Sequence, residues 1–377
     1  MNLQFRQIND FSEFLRLRQP WNELAGQCAV DHAYMRHEWF SCWIKHLGDK
    51  NRMEIMTAWN DGLLVAVTPL QRQREKISGI PVRSLRFMIS GISPRCNFLV
   101  HPSLNPENIF DHLFNIKGWD ILELQGMEHD RNSTQDFVSF LKNRCPGKYV
   151  VEEGRQSPYL FVEGNWNDYL QTLSQKHRKN INQGLNRLSR LEGCGFEKVI
   201  EYRRFHEVFD DILRISDRSW KGAGGTSISA VKNMAEFYRE FCETTDSQDL
   251  WEMRLMKAGG QNIAFNFFLK HGPRLSGIRT DYDETYKYYG PGQMMILNTL
   301  KDLFDSAQKW EFDMGGMAAD FKLDWTEKVR LHLNVSVTYP GVYGNLLTFG
   351  RNRILPILKN FKKVPPAPSA GAPSTVG

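Results

Sequence analysis

Ile263-Ala264-Phe265-Asn266-Phe267-Phe268-Leu269, the turn His271-Gly272-Pro273-Arg274 and the return run Leu275-Ser276-Gly277-Ile278-Arg279-Thr280-Asp281 decide how this chain reads. Two β-rich runs around a Gly-Pro turn predict a hairpin. After Tyr282-Asp283-Glu284-Thr285-Tyr286-Lys287-Tyr288-Tyr289, the triplet Gly290-Pro291-Gly292 opens a segment with apolar residues at Met294, Met295, Leu297, Leu300, Leu303 and Phe304. That spacing predicts a helix with one buried face, and Gly-Pro-Gly suits its start. Trp310-Glu311-Phe312-Asp313-Met314 then reads as a strand, ending at Gly315-Gly316 and leading into Ala319-Asp320-Phe321-Lys322-Leu323-Asp324-Trp325. The order is hairpin, helix, strand, with a glycine-rich helix entrance.

Such an entrance can bind an anionic group, because free backbone N–H groups and the positive end of the helix dipole point at whatever sits before the first turn. The plainer reading is a tight turn feeding a core helix. The setting between Arg279/Asp281 and Asp313/Lys322 favours a site, since polar side chains at the ends of adjacent strands converge in a sheet.

Working outward, 377 residues are too many for one small core and suit two domains. A hydrophobic fraction of 41% with 24% charged residues is ordinary for a globular chain. Apolar runs such as Gly62 to Leu70 are shorter than a bilayer-spanning helix, and Met1 to Arg6 has no signal-peptide core, so a cytoplasmic location, or the inner face of a membrane, is expected. Six scattered cysteines form no CxxC pair, which predicts reduced thiols and no metal site. The net charge of +5 favours anionic partners without naming one, and nothing points to DNA.

The first half reads as α/β: a strand at Phe5–Ile8, a helix capped by Asn9-Asp10, an apolar helical stripe over Glu38–Leu47, and a hairpin turning at Asn60-Asp61-Gly62. Asp61-Gly62 precedes Leu64-Val65-Ala66-Val67 as Gly259-Gly260 precedes Asn262-Ile263-Ala264-Phe265. This echo, with Trp59 or Trp251 in the preceding strand, predicts a duplicated fold with its cleft between the copies. In the second half a long helix is expected from Trp166 to Leu191, its middle basic at Lys176, His177, Arg178 and Lys179. A charge run is either a solvated face or, with Lys176 and Arg178, a phosphate contact. Phe205 to Trp220 predicts a helix ending in the glycine-rich loop Lys221-Gly222-Ala223-Gly224-Gly225, a candidate lid, with Trp220 either core or channel wall. The basic and apolar tail, 346–363, suits a membrane interface or packing on the domain; residues 364–377 are expected to be disordered.

The order Asp281-Tyr282-Asp283, Tyr286, Tyr289, Pro291-Gly292, Asp313, Gly316 and Phe321-Lys322 resembles the GNAT-like acyltransferases associated with cellulose and exopolysaccharide synthesis (the CelD/BcsL type), relatives of the FemABX peptidyltransferases. Ser174-x-Lys176-x-Arg178-x-x-Ile181 resembles the same family's basic helix. The resemblance covers about Asn165 to Val337. It implies an α/β fold of tandem GNAT-like domains with mixed sheets flanked by helices: a degenerate first domain over 1–152 and a catalytic one over 153–345. It also implies a donor, acyl-CoA or acyl-carrier protein, with no tightly bound cofactor, and an amine acceptor on a lipid such as a sphingoid base or on an amino sugar. Aminoacyl-tRNA is the alternative donor, and a non-catalytic binding module the alternative class. Lys322 matches the family's lysine and would stabilise developing charge; Asp281 or Asp313 would take the amine proton. Tyr282, Tyr286 and Tyr289 would wall the cleft, one hydroxyl protonating the leaving thiolate, while Arg279 orients an acceptor anion. Phe321 stands where the family has tyrosine. Tyr289-Gly290-Pro291-Gly292 stands in place of the usual Gln/Arg-x-x-Gly-x-Gly/Ala loop.

Overall fold

A computed structural model describes residues 2–28, 33–77, 79–89, 91–339, 341, 343 and 344. The basic-apolar tail at 346–363 and the segment 364–377 lie outside the described residues. The first half runs β1 (Gln4–Ile8), α1 (Phe11–Leu15), α2 (Arg18–Gln27), α3 (His37–His46), β2 (Met53–Asn60), β3 (Leu63–Ile77), β4 (Ile80–Phe87), β5 (Leu99–Val100), α4 (Glu107–Asn115), β6 (Ile121–Glu128), α5 (Asn132–Arg144) and β7 (Tyr149–Val162). The second runs α6 (Trp166–Thr172), α7 (Gln175–Leu188), β8 (Gly195–Val199), α8 (Tyr202–Arg218), α9 (Trp220–Ala223), α10 (Met234–Thr244), β9 (Trp251–Ala258), β10 (Gln261–His271), β11 (Arg274–Tyr282), α11 (Pro291–Asp305), β12 (Trp310–Asp313), α12 (Asp320–Leu323) and β13 (Val329–Thr338).

The strands form one mixed sheet in the order β1-β2-β3-β4-β6-β13-β7-β12-β11-β10-β9-β8, with β5 on β3. The order carries a repeat. Each half has a strand, a helical layer, three antiparallel strands, a helix, and a strand parallel to the last of the three: β4 with β6, and β11 with β12. The closing strands are exchanged, for β13 lies between β6 and β7. β7 passes unbroken through Glu152 and Glu153, bonded first to β13 and then to β12.

The echo between the hairpins extends to backbone geometry. Asp61 and Gly62 have φ 50° and 80°, and Gly259 and Gly260 have φ 56° and 78°, the left-handed pair of a two-residue hairpin turn. Three residues beyond each second glycine the ladder skips one residue, Val65 in β3 and Ile263 in β10. The tryptophans are not equivalent: Trp59 pairs Leu64 beside its turn, whereas Trp251 pairs Leu269 at the far end of its hairpin.

Two expectations are corrected. The long helix from Trp166 is two helices, broken at Leu173 in extended conformation, with the Ser174 hydroxyl accepting from the His177 N–H to start α7. The candidate lid at Lys221–Gly225 is mostly the short helix α9, and Thr226 beyond it is held by Arg279. One core underlies the first half and continues into α8 and α10; Trp39 meets Phe237 and Phe241 edge-on, each with ring centroids 5.1 Å apart. A second core surrounds α11, where Gly184 admits α7: a Cβ there would come within 2.6 Å of Met294 Cε. Among the described residues no helix is long and apolar enough to cross a membrane.

Candidate active site

The site forms where β11 and β12 part. Their parallel register holds only from Arg274/Glu311 to Ser276/Asp313. A bulge then places Ile278 outside the β10 ladder, between Gly277 opposite Phe268 and Arg279 opposite Phe267. The strands stay close at the vertex because glycines meet there. A Cβ on Gly315, whose φ is 60°, would lie 1.8 Å from the Gly277 carbonyl oxygen.

Lys322, on α12, reaches back to this vertex. Its Nζ donates to the Met314 carbonyl at 3.0 Å and the Gly315 carbonyl at 2.5 Å. Burial lowers its pKa to about 8; the charge of Asp313 opposes that shift, and Lys221 and Arg95 add to it. An ammonium has three hydrogens, so one remains for a ligand.

Asp313 is fully buried. Its Oδ1 accepts from Arg95 Nη2 at 2.8 Å and from the Gly315 N–H at 2.8 Å, and its Oδ2 accepts from Arg330 Nη1 at 2.9 Å. Burial favours its neutral form, but Arg95 and then Arg330 outweigh this and hold the carboxyl below its usual value. Asp281 is equally enclosed, with Oδ1 2.5 Å from Lys221 Nζ and Oδ2 2.7 Å from Arg279 Nε. Each carboxylate is thus committed to two cations, so either would have to give up an ion pair to act as a base. Arg279 is committed too: its Nη2 donates to Ser216 Oγ at 2.9 Å and the Thr226 carbonyl at 3.0 Å. It fastens α8 and the following loop to β11 rather than presenting a free guanidinium to an acceptor.

Tyr282, Tyr286 and Tyr289 pack partly buried against the α11 core, the last two with ring centroids 6.4 Å apart. Gly290, with φ 63°, begins α11, whose first turn starts at Pro291-Gly292. Pro291 has no N–H and the Gln293 N–H donates to the Gly290 carbonyl at 3.1 Å, which leaves the Gly292 N–H of the first turn facing outward from the helix start. Arg187 of α7 spans this approach, donating to the Tyr288 carbonyl at 3.1 Å and lying over the Tyr288 ring. Lys176 is exposed, and Arg178 donates to the Gln171 side chain at 2.7 Å. Trp220 is 63% exposed, so it belongs to neither the core nor a closed channel wall.

The sequence reading missed Lys221, Arg95 and Arg330. Lys221 opens the predicted glycine loop, but nothing local marks its partner sixty residues away. A cleft of about 720 Å³ opens beside Lys221, between Ile278, Val231 and Met234 of the second half and Leu47, Gly48 and Ile92 of the first.

Residues 175–323 match the family described as acetyltransferase (GNAT) domain. They span α7 to α12 and hold the whole vertex, and the first half repeats their topology, so the fold is a tandem GNAT-like one. No curated protein matches the sequence. Among solved structures the chain is similar to FemX, with a TM-score of 0.59, 11% identity, 92% of this chain and 100% of that one covered. It is similar to the C-terminal domain assigned to a lysylphosphatidylglycerol synthetase of Agrobacterium fabrum, with TM-score 0.55, 11% identity and coverages of 91% and 97%. A conserved protein of unknown function from Bacteroides thetaiotaomicron VPI-5482 gives TM-score 0.55, 10% identity and coverages of 89% and 100%. At such identities the likeness is one of fold. The CelD/BcsL grouping is not among these matches.

Proposed function

We propose that the chain is an N-acyltransferase that moves an acyl group from a thioester, acyl-CoA or acyl-carrier protein, to an amine. The observation that carries this reading is the forked β11–β12 vertex with Lys322 at its mouth. A thioester laid in the fork would turn its carbonyl oxygen toward the free N–H of Lys322 Nζ, while the first turn of α11 and the exposed Lys176 offer charge to phosphate. The amine enters from the cleft beside Lys221, and its nitrogen attacks the carbonyl carbon. The oxyanion that forms is held by Lys322 until the C–S bond breaks. The amine proton leaves to water in the cleft, and the thiolate takes a proton from a tyrosine hydroxyl, for which Tyr286 is the candidate. Asp313 and Asp281 act as positioning residues: the first fixes the vertex between Arg95 and Arg330, the second holds Lys221.

The apolar side of the cleft favours an amine with an alkyl portion, such as a long-chain base, over a bare amino sugar. Residues 1–152 would then supply one wall and 153–345 the reacting groups. The test is to incubate the purified chain with an acyl-CoA series and sphinganine or glucosamine, and to read amide formation by mass spectrometry. An amide lost in Lys322→Ala supports the reading. No amide from any acyl-CoA or acyl-carrier protein would sink it, and a ribonuclease-sensitive product from aminoacyl-tRNA would replace it.

A further inference from the structure

The first repeat has its own fork. β4 and β6 are parallel from Ser84/Ile121 to Arg86/Glu123, so Glu123 occupies the place that Asp313 holds in the second repeat. Glu123 pairs with Arg86 of the adjacent strand. Beyond this fork lies a cavity of about 300 Å³, walled by β3, β4, β6, β7 and β13. The sheet is irregular here. The β13 ladder shifts against β6 between Leu333 and Val335, and against β7 between Leu331 and Leu333.

Side chains fill the broken ladder. Asn334 Oδ1 accepts from the Gly126 N–H at 3.1 Å, and His332 Nδ1 lies 3.0 Å from the Arg155 carbonyl. A carbonyl can only accept, so Nδ1 carries the proton and Nε2 is a bare acceptor. His332 is 2% exposed, lines the cavity, and its Nε2 has no partner. Burial, and then the charge of Arg95, keep the ring neutral. A buried acceptor left unmatched is costly, and a ligand that donates to it removes that cost.

The other lining groups define the ligand. Gln71 spends its amide N–H on the Phe87 carbonyl and keeps its oxygen, whereas Gln73 spends its oxygen on Arg86 and keeps its amide hydrogens. The Asn334 amide nitrogen, the Gln125 amide and the Arg155 guanidinium add capacity at the wall and the mouth. An anion would meet Glu123 and the His332 lone pair; a cation would meet Arg86 and Arg155. Hydroxyl groups, each donor and acceptor at once, suit this alternation.

We infer that the cavity of the first repeat is a second binding site, taking a neutral hydroxyl-rich ligand, one or two sugar units, with a hydroxyl donating to His332 Nε2. The site is separate from the β11–β12 fork and needs no acyl donor.

Saturation-transfer NMR and calorimetry on the full chain, without donor, test this with glucose and N-acetylglucosamine and their oligomers, against glucuronate and glucosamine. Neutral sugars bind, and His332→Leu and Arg155→Ala each weaken binding at least tenfold. His332→Gln, which restores an acceptor, stays within a few-fold. Arg155 and Gln125 are exposed, so Arg155→Ala and Gln125→Ala keep the thermal midpoint and carry the test if the His332 variants fold poorly. Absence of saturation transfer from every neutral sugar, preference for glucuronate or glucosamine, or affinity unchanged in Arg155→Ala overturns the proposal. Because no acyl transfer is read, that failure leaves the acyltransferase reading standing, and failure of amide formation leaves this one standing.

Discussion

The methyl group that Gly315 lacks would lie 1.8 Å from the carbonyl oxygen of Gly277, far inside any approach a real Cβ makes. The fork therefore depends on a backbone-to-backbone contact across two strands. Gly315→Ala must either move β12 from β11 or force an L-residue at φ 60°. It is expected to cost at least about 2 kcal/mol and to abolish amide formation. Gly290→Ala shares the strained φ but meets nothing within 4 Å, so it should cost only about 1 kcal/mol. Equal denaturation midpoints for the two variants would refute the contact's role.

The lowered pKa of Lys322, about 8, gives the proposed reaction a descending limb. As pH rises through that value the ammonium loses the proton it would donate, so the rate of amide formation should fall. Lys322→Arg, charged across this range, should move the limb upward while keeping part of the activity. Stability runs the other way. The folded pKa lies below the ordinary 10.5, so the unfolded chain holds more protons between about 8 and 10.5, and this group's contribution to stability rises with pH there. A pH–rate profile unchanged in Lys322→Arg would count against a charged role.

Asp313 gives a pH dependence of the same sign in the acid range. Arg95 and Arg330 hold its folded pKa below the ordinary 3.8, so its stabilisation is complete above that value and is lost as pH falls below it. Asp313→Asn leaves two buried guanidinium groups short of a counter-charge, and should cost about 3–5 kcal/mol at neutral pH. Urea titrations at several pH values read both effects; a neutral-pH loss under 1 kcal/mol would contradict the ion-pair account.

For Lys176 the two readings of the basic run separate cleanly. It is exposed, so Lys176→Ala should leave the thermal midpoint in place. If it meets donor phosphate, KM for acyl-CoA rises several-fold with kcat little changed, and the rise shrinks at high salt. An unchanged KM returns Lys176 to a solvated face.

Much of the second repeat was legible because its signals are local. Gly259-Gly260 and Gly272-Pro273 set the hairpin turns, and Pro291-Gly292 starts α11 where expected. The matching bulges at Val65 and Ile263, each three residues past the turn glycine, extend that echo but were not marked by it. The break before α7 was also written locally, in Ser174 three residues ahead of His177, but a long apolar stripe hid it. Other features had no local sign. Arg95 meets Asp313 across 218 positions, and the chemistry of Asp313 depends on that partner. A carboxylate at a strand end looks like a base until its cations are known; Asp281, enclosed by Lys221 and Arg279, teaches the same thing.

The exchange of closing strands also bears on how this protein moves. With β13 seated between β6 and β7, and β7 joined to β12, a single sheet runs from one repeat into the other, irregular only where β13 shifts register around Leu333. A jaw-like opening of the two copies would tear that sheet. Admission to the cleft would instead fall to side chains at its rim, because the segment after α8 is itself tied to β11 through Arg279 and Lys221. Evolution could diversify the two copies but could not readily part them, and a blade made by cutting between them would leave each half missing a strand.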